Sequence, residues 1–170
     1  MARQAPFHRD AFHVFTAIQT RWSDNDVYGH LNNTVHYQLF DTVLTGWLIR
    51  KGLLKPTGSD FVTLVVETGC SFFAELSFPQ TLDAGLRVDR LGRTSITYGF
   101  ALFADGDTAA AQGHLTHVMV ERTTRKPRVL PDVWIKTLKE LQPGADLQSA
   151  AREPSRALPP ASTETATLGS

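Results

Sequence analysis

Within ten residues, Asp24-Asn25-Asp26-Val27-Tyr28-Gly29-His30-Leu31-Asn32-Asn33, the chain sets two carboxylates, a glycine, a histidine and a closing pair of asparagines. A turn needs less polar functionality than that. A carboxylate can attack an electrophilic carbon or draw a proton from water, and a carbonyl oxygen under attack needs donors where its charge develops. An apolar helical pattern starts directly after the run. The first turn of a helix offers N–H groups with no internal acceptor and the positive end of a dipole, and Gly29 lets the backbone come close to a ligand. The stretch reads as an active-site turn feeding a core helix.

The elements that must hold this turn are legible on either side of it. Over residues 12–21, Val14, Thr16, Ile18 and Thr20 alternate with Phe15, Ala17, Gln19 and Arg21, which predicts a strand ending near Trp22. Over residues 31–49 the apolar positions fall at helical spacing. Val35, Leu39, Val43 and Trp47 form one ridge and Phe40, Leu44 and Leu48 a second, with Thr34, Gln38, Thr42, Gly46 and Arg50 opposite. So wide an apolar arc, on a helix about 30 Å long, predicts a helix wrapped by a sheet. Asn32, Asn33 and His36 project inside that arc and are expected to be buried with partners. Strand patterns follow over residues 61–73, 82–90, 94–103 and 108–121, with Asp105-Gly106 as a hairpin signal, and a short helix is predicted over 131–141. The order predicts an α+β domain with an antiparallel sheet around one helix, spanning residues 1–141. Residues 142–170 differ in kind: 19 of the 29 are Ala, Pro, Ser, Thr or Gly and none is aromatic, which predicts a disordered tail.

Composition narrows the classes of function. At 170 residues the chain is about one domain, and 17 basic residues balance 17 acidic ones, so no overall field draws nucleic acid or anionic membrane. The single cysteine, Cys70, can form no internal disulfide and fits a reducing compartment, with the cytoplasm as the expected location. No apolar run approaches a membrane span, and residues 1–10 hold no signal-like apolar core. His114 and His117 lack ligand spacing to each other or to a carboxylate, so neither a metal nor a cofactor is expected.

The pattern Arg21-x-x-Asp24-x-Asp26-x-x-Gly29-His30-x-Asn32-Asn33, followed by a long helix, resembles that of hotdog-fold acyl-CoA thioesterases of the 4-hydroxybenzoyl-CoA thioesterase type. The resemblance covers about residues 12–141 and takes in the Tyr37–Thr42 segment, the strand order and the Arg-rich end of the last strand. It implies a hotdog fold, a five-stranded antiparallel sheet wrapped around a long central helix. It also implies a homodimer or homotetramer with sheets continued edge to edge, active sites at the subunit interface and a coenzyme A thioester as substrate. In that family the second acid of the D-x-D pair is catalytic, which carries over to Asp26. Asp26 would attack the thioester carbonyl or activate water, N–H groups near Gly29 and Leu31 would polarise the carbonyl, and Asn33 would orient water or the acyl group. Some relatives carry His or Tyr seven residues after the catalytic acid, where this chain has Asn33; His30 either compensates or braces the turn. His36 stands where many relatives place a tyrosine and is given no catalytic role.

Asp24 reads first as structural, pairing with Arg21 or capping the turn. Asp41 and Glu67 are candidates outside the expected site. Arg122, Arg125, Lys126 and Arg128 set four cations in seven residues after the last strand. A solvated loop is their first reading, and a pocket rim that holds CoA phosphates is the second. Two alternatives to hydrolysis stand beside it. A non-catalytic acyl-CoA-binding hotdog module would lack the hydrolytic carboxylate, which Asp26 supplies, and a hotdog dehydratase would need a histidine partner for Asp26 that the sequence does not offer.

Overall fold

The computed structural model describes residues 5–55 and 58–143. Pro56, and all but the first two residues of the expected tail at 142–170, lie outside the described residues. Five strands, β1 (Val14–Gln19), β2 (Phe61–Phe72), β3 (Thr81–Leu91), β4 (Ser95–Phe103) and β5 (Ala111–Glu121), form one sheet in the order β1-β3-β4-β5-β2. Every neighbouring pair is antiparallel. The helix α1 (Asn33–Arg50) packs into the concave face, and α2 (Asp132–Leu138) follows the last strand. This is the expected α+β hotdog architecture.

The two apolar ridges of α1 are the ones it buries. Val35, Leu39, Val43 and Trp47 lie beside His36, Phe40, Leu44 and Leu48, all turned toward the sheet. The sheet meets them with Leu86, Val88, Ile96, Phe100 and Met119, each 1% exposed or less. Phe40 stacks on Phe100 with ring centroids 4.9 Å apart. That closeness depends on Gly113, where an added Cβ would come within 2.4 Å of the Phe40 ring and 2.6 Å of the Gly69 carbonyl oxygen. α2 closes the far end, with Trp134 buried and edge-on to Phe61. On the opposite face Phe12, Ala101, Phe103 and Ala109 form a smaller cluster, joined by Phe7 and Phe15 and covered by the N-terminal segment.

Element ends differ from the periodicity for local reasons. The first strand stops at Gln19 because the Thr20 N–H and hydroxyl both bond the Gln80 carbonyl and the Arg21 N–H is claimed by the Asp24 carboxylate. The last strand starts at Ala111, three residues late, because the residues before it are tied to the N-terminal segment: Thr108 bridges His8 and Ala109 donates to the Phe7 carbonyl. The helix starts at Asn33 and not at residue 31, since Leu31 is an extended bridge partner of Asn25.

Candidate active site

The turn is built outward from Asp24. Around a short 3-10 turn, Trp22–Asp24, the Asp24 carboxylate accepts from the Arg21 backbone N–H at 2.7 Å and from its guanidinium at 2.7 Å. Burial alone would raise the Asp24 carboxyl, but the Arg21 hydrogen bonds and charge outweigh it and hold the pKa below the usual carboxylate value. The Asp24 carbonyl then accepts from the Asn32 N–H, tying the turn to the helix cap. Asp24 pairs with Arg21 and braces the turn, as its sequence context predicts.

Asp26 sits at the neck of a closed loop. Its N–H donates to the His30 carbonyl at 2.8 Å and its carbonyl accepts from Gly29 at 3.1 Å. Gly29 takes φ +82°, a left-handed conformation that favours glycine. The Asp26 side chain accepts at Oδ1 from the N–H groups of Tyr28 (2.8 Å) and His30 (3.3 Å). Oδ2 has no partner among the described residues. The carboxylate is thus oriented by two backbone donors, with one oxygen left unpaired among the described residues.

The connection between β2 and β3 docks along the same loop. Leu31 donates to the Leu76 carbonyl at 2.6 Å, Phe78 N–H donates to Asn25 Oδ1 at 3.0 Å, and His30 Nε2 lies 3.1 Å from Glu75 Oε2. Beside Glu75 a cleft of about 720 Å³ opens, lined among others by Phe73, Ala74, Gln80, Ala104 and Ala110. No pattern in the sequence points to Glu75, because it and His30, 45 positions apart in the chain, are brought together only by the sheet.

The helix start corrects one expectation. The N–H groups near Gly29 and Leu31, expected to face a ligand, are consumed by Asp26 and Leu76, and that of Asn32 by Asp24. Asn32 is the N-cap, its Oδ1 accepting from the Thr34 N–H at 3.0 Å. The Asn33 N–H, two residues beyond Leu31, is left without an acceptor among the described residues. Asn32 and Asn33 are exposed instead of buried in the helix arc, because a cap must point back along the chain. His36 is buried and donates through Nδ1 to the Asn32 carbonyl at 3.2 Å, edge-on to Phe72. Burial lowers its pKa against that hydrogen bond, leaving a neutral ring that braces the cap.

The basic cluster is not brought to this turn within one chain. β2 begins at Phe61 opposite Glu121 and ends at Phe72 opposite Ala111, next to the docked connection. The eleven residues of β5, advancing about 3.3 Å per step, separate the two ends by roughly 33 Å. Arg122 Nε donates to the Ser59 carbonyl, and Arg128 pairs with Glu121 at 3.2 Å while covering the Phe61 ring. Arg125 and Lys126 are exposed, and their side chains have no partner among the described residues. Asp41 is also exposed, and Glu67 lies on β2, 3.7 Å from His114. Among the described residues no group of three or more His, Cys, Asp or Glu could hold a metal ion, and no helix is long and apolar enough to cross a membrane.

The family model of the thioesterase-like superfamily matches residues 20–140. A crystal structure of the PA5185 protein from Pseudomonas aeruginosa is 41% identical, covers 84% of this chain and 99% of its own, and superposes with a TM-score of 0.78. Slr0204, a 1,4-dihydroxy-2-naphthoyl-CoA thioesterase from Synechocystis, shares the fold at 19% identity and a TM-score of 0.68, over 75% of this chain and 96% of its own. No match was found among curated proteins.

Proposed function

The chain belongs to the thioesterase-like superfamily and is a thioester hydrolase, and on that premise we propose that it cleaves acyl- or aroyl-CoA to the free acid and CoA, with Asp26 as nucleophile or general base. One observation carries the assignment to Asp26. Its Oδ1 is fixed by the Tyr28 and His30 N–H groups while Oδ2 has no partner among the described residues, beside a helix start whose Asn33 N–H is also unengaged. Oδ2 attacks the thioester carbon or takes a proton from the attacking water. The carbonyl oxygen receives the Asn33 N–H at the positive end of the α1 dipole, where developing charge is stabilised most. The Asn33 side chain orients water or the acyl group, and Gly29 supplies the left-handed turn that keeps Asp26 in place. The CoA thiolate, from a thiol far more acidic than water or an alcohol, leaves without strong acid help.

The basic cluster enters this reading only through a second copy. Because it lies at the far end of the sheet from Asp26 of its own chain, Arg125 and Lys126 would reach CoA phosphates at the site of a neighbouring subunit.

The test is release of free CoA from a panel of acyl- and aroyl-CoA thioesters, including a hydroxynaphthoyl-CoA, followed with a thiol reagent. Stoichiometric release with turnover is expected. A protein that binds acyl-CoA and frees no thiol would be the binding module instead.

A further inference from the structure

We infer that Glu75 is a positioning residue for the hydrolytic half of the reaction, holding the His30 imidazole so that it takes the proton of the attacking water; this rests on the assignment of Asp26 above. His30 Nε2 and Glu75 Oε2 are 3.1 Å apart, with side chains 45% and 76% exposed. A side-chain pair so exposed adds little to stability. Its placement is nevertheless fixed from both sides. Leu31 and Leu76, the next residues along each segment, are hydrogen-bonded backbone to backbone, and Asn25 holds Phe78 just beyond. On the other side the His30 backbone is bonded to Asp26 in both directions, accepting at its carbonyl and donating to Oδ1. A carboxylate only accepts, so the proton of a neutral His30 ring resides on Nε2 and Nδ1 is left as the acceptor.

The chemistry needs such a group. When Asp26 Oδ2 bonds to the acyl carbon, the C–S bond breaks and its electron pair leaves on sulfur as CoA thiolate. Asp26 is then half of an anhydride and carries no charge with which to activate water. In the second step a water oxygen bonds to the acyl carbon, the C–Oδ2 bond breaks, and its electron pair returns to Asp26 as carboxylate. The water proton passes to His30 Nδ1 and from there to solvent, and Glu75 stabilises the transient imidazolium.

Glu75→Gln keeps size and hydrogen bonding and removes the charge. It is expected to lower kcat at least about tenfold and KM with it, leaving kcat/KM and Tm nearly unchanged, since only the water-activating step after acyl transfer is slowed. Rapid mixing should show one equivalent of CoA released in a burst, followed by the slowed steady state. In a His30→Gln background the same substitution should change nothing further. A wild-type kcat in Glu75→Gln, losses that multiply in the double variant, slow CoA release without a burst, or a lowered Tm would each overturn the inference. Asp26→Asn run alongside separates the two claims. If it turns over at the wild-type rate, the reading of Asp26 fails; if it is inactive while Glu75→Gln is unimpaired, only the role of Glu75 fails.

Discussion

Asp24 and Asp26 stand two residues apart and face different environments: one carboxylate is nearly enclosed and spent on Arg21, the other keeps an oxygen unpaired. Removing the charge of Asp24 should therefore cost folding and not chemistry. Asp24→Asn is expected to lower Tm by roughly 3–6 °C, the scale of a lost cap in a domain of this size, with kcat little changed in the protein that remains folded. The pairing of Arg21 with Asp24 was legible because it is local, three residues apart. The pairing of His30 with Glu75 was not, because it depends on how the sheet returns the chain. His117 supplies a test of pH. It lies in the core edge-on to Tyr98, with neither its Nδ1 nor the Tyr98 hydroxyl hydrogen-bonded among the described residues, and burial pushes its pKa down to about 4. The unfolded chain takes up this proton near its ordinary value of about 6.5 and the folded protein only near 4. Stability is therefore whole above pH 6.5, falls by on the order of 3 kcal/mol as pH drops to about 4, and gains no further loss from this group below that. Urea midpoints of wild type and His117→Leu across this window should show the variant with the shallower slope.

At the scale of elements, side-chain periodicity was a good guide wherever one face is buried. Both ridges of α1 point into the sheet as spaced, and all five strands stand where alternation or apolar runs placed them. Periodicity failed at the ends, where hydrogen bonds to distant segments decide. Leu31 has the right apolar spacing for the helix, yet its N–H goes to Leu76, and the helix waits for the Asn32 cap. The contact of α1 with the sheet depends on a residue with no side chain at all. Gly113→Ala would drive a methyl into the Phe40 ring and the Gly69 carbonyl, so the helix must lift or the strand must shift. A loss of about 1–3 kcal/mol is expected, read from a chemical denaturation curve. An unchanged midpoint would mean that the helix rides higher over β5 than described.

For the whole molecule, β2 is an edge strand paired on one side only, and Leu64, Val65 and Val66 along it are 38%, 51% and 60% exposed. Apolar edges of this kind invite a second copy. The protein is expected to be at least a dimer by light scattering at micromolar concentration, and Val66→Lys, a charge on the open edge, should shift it toward monomer. The same association would bring a neighbour's Arg125 and Lys126 toward the Asp26 turn. That the turn concentrates groups able to do chemistry was legible from residue types and spacing alone; which oxygen and which N–H are available was not, since both follow from what the rest of the loop consumes. The most direct test is therefore made on Asp26 itself. Asp26→Asn preserves size and the Oδ1 contacts while removing the charge, and with the best acyl-CoA of the panel kcat should fall at least about a hundredfold, with substrate binding and Tm retained. An Asp26→Asn protein that hydrolyses that thioester at near the wild-type rate would contradict the account.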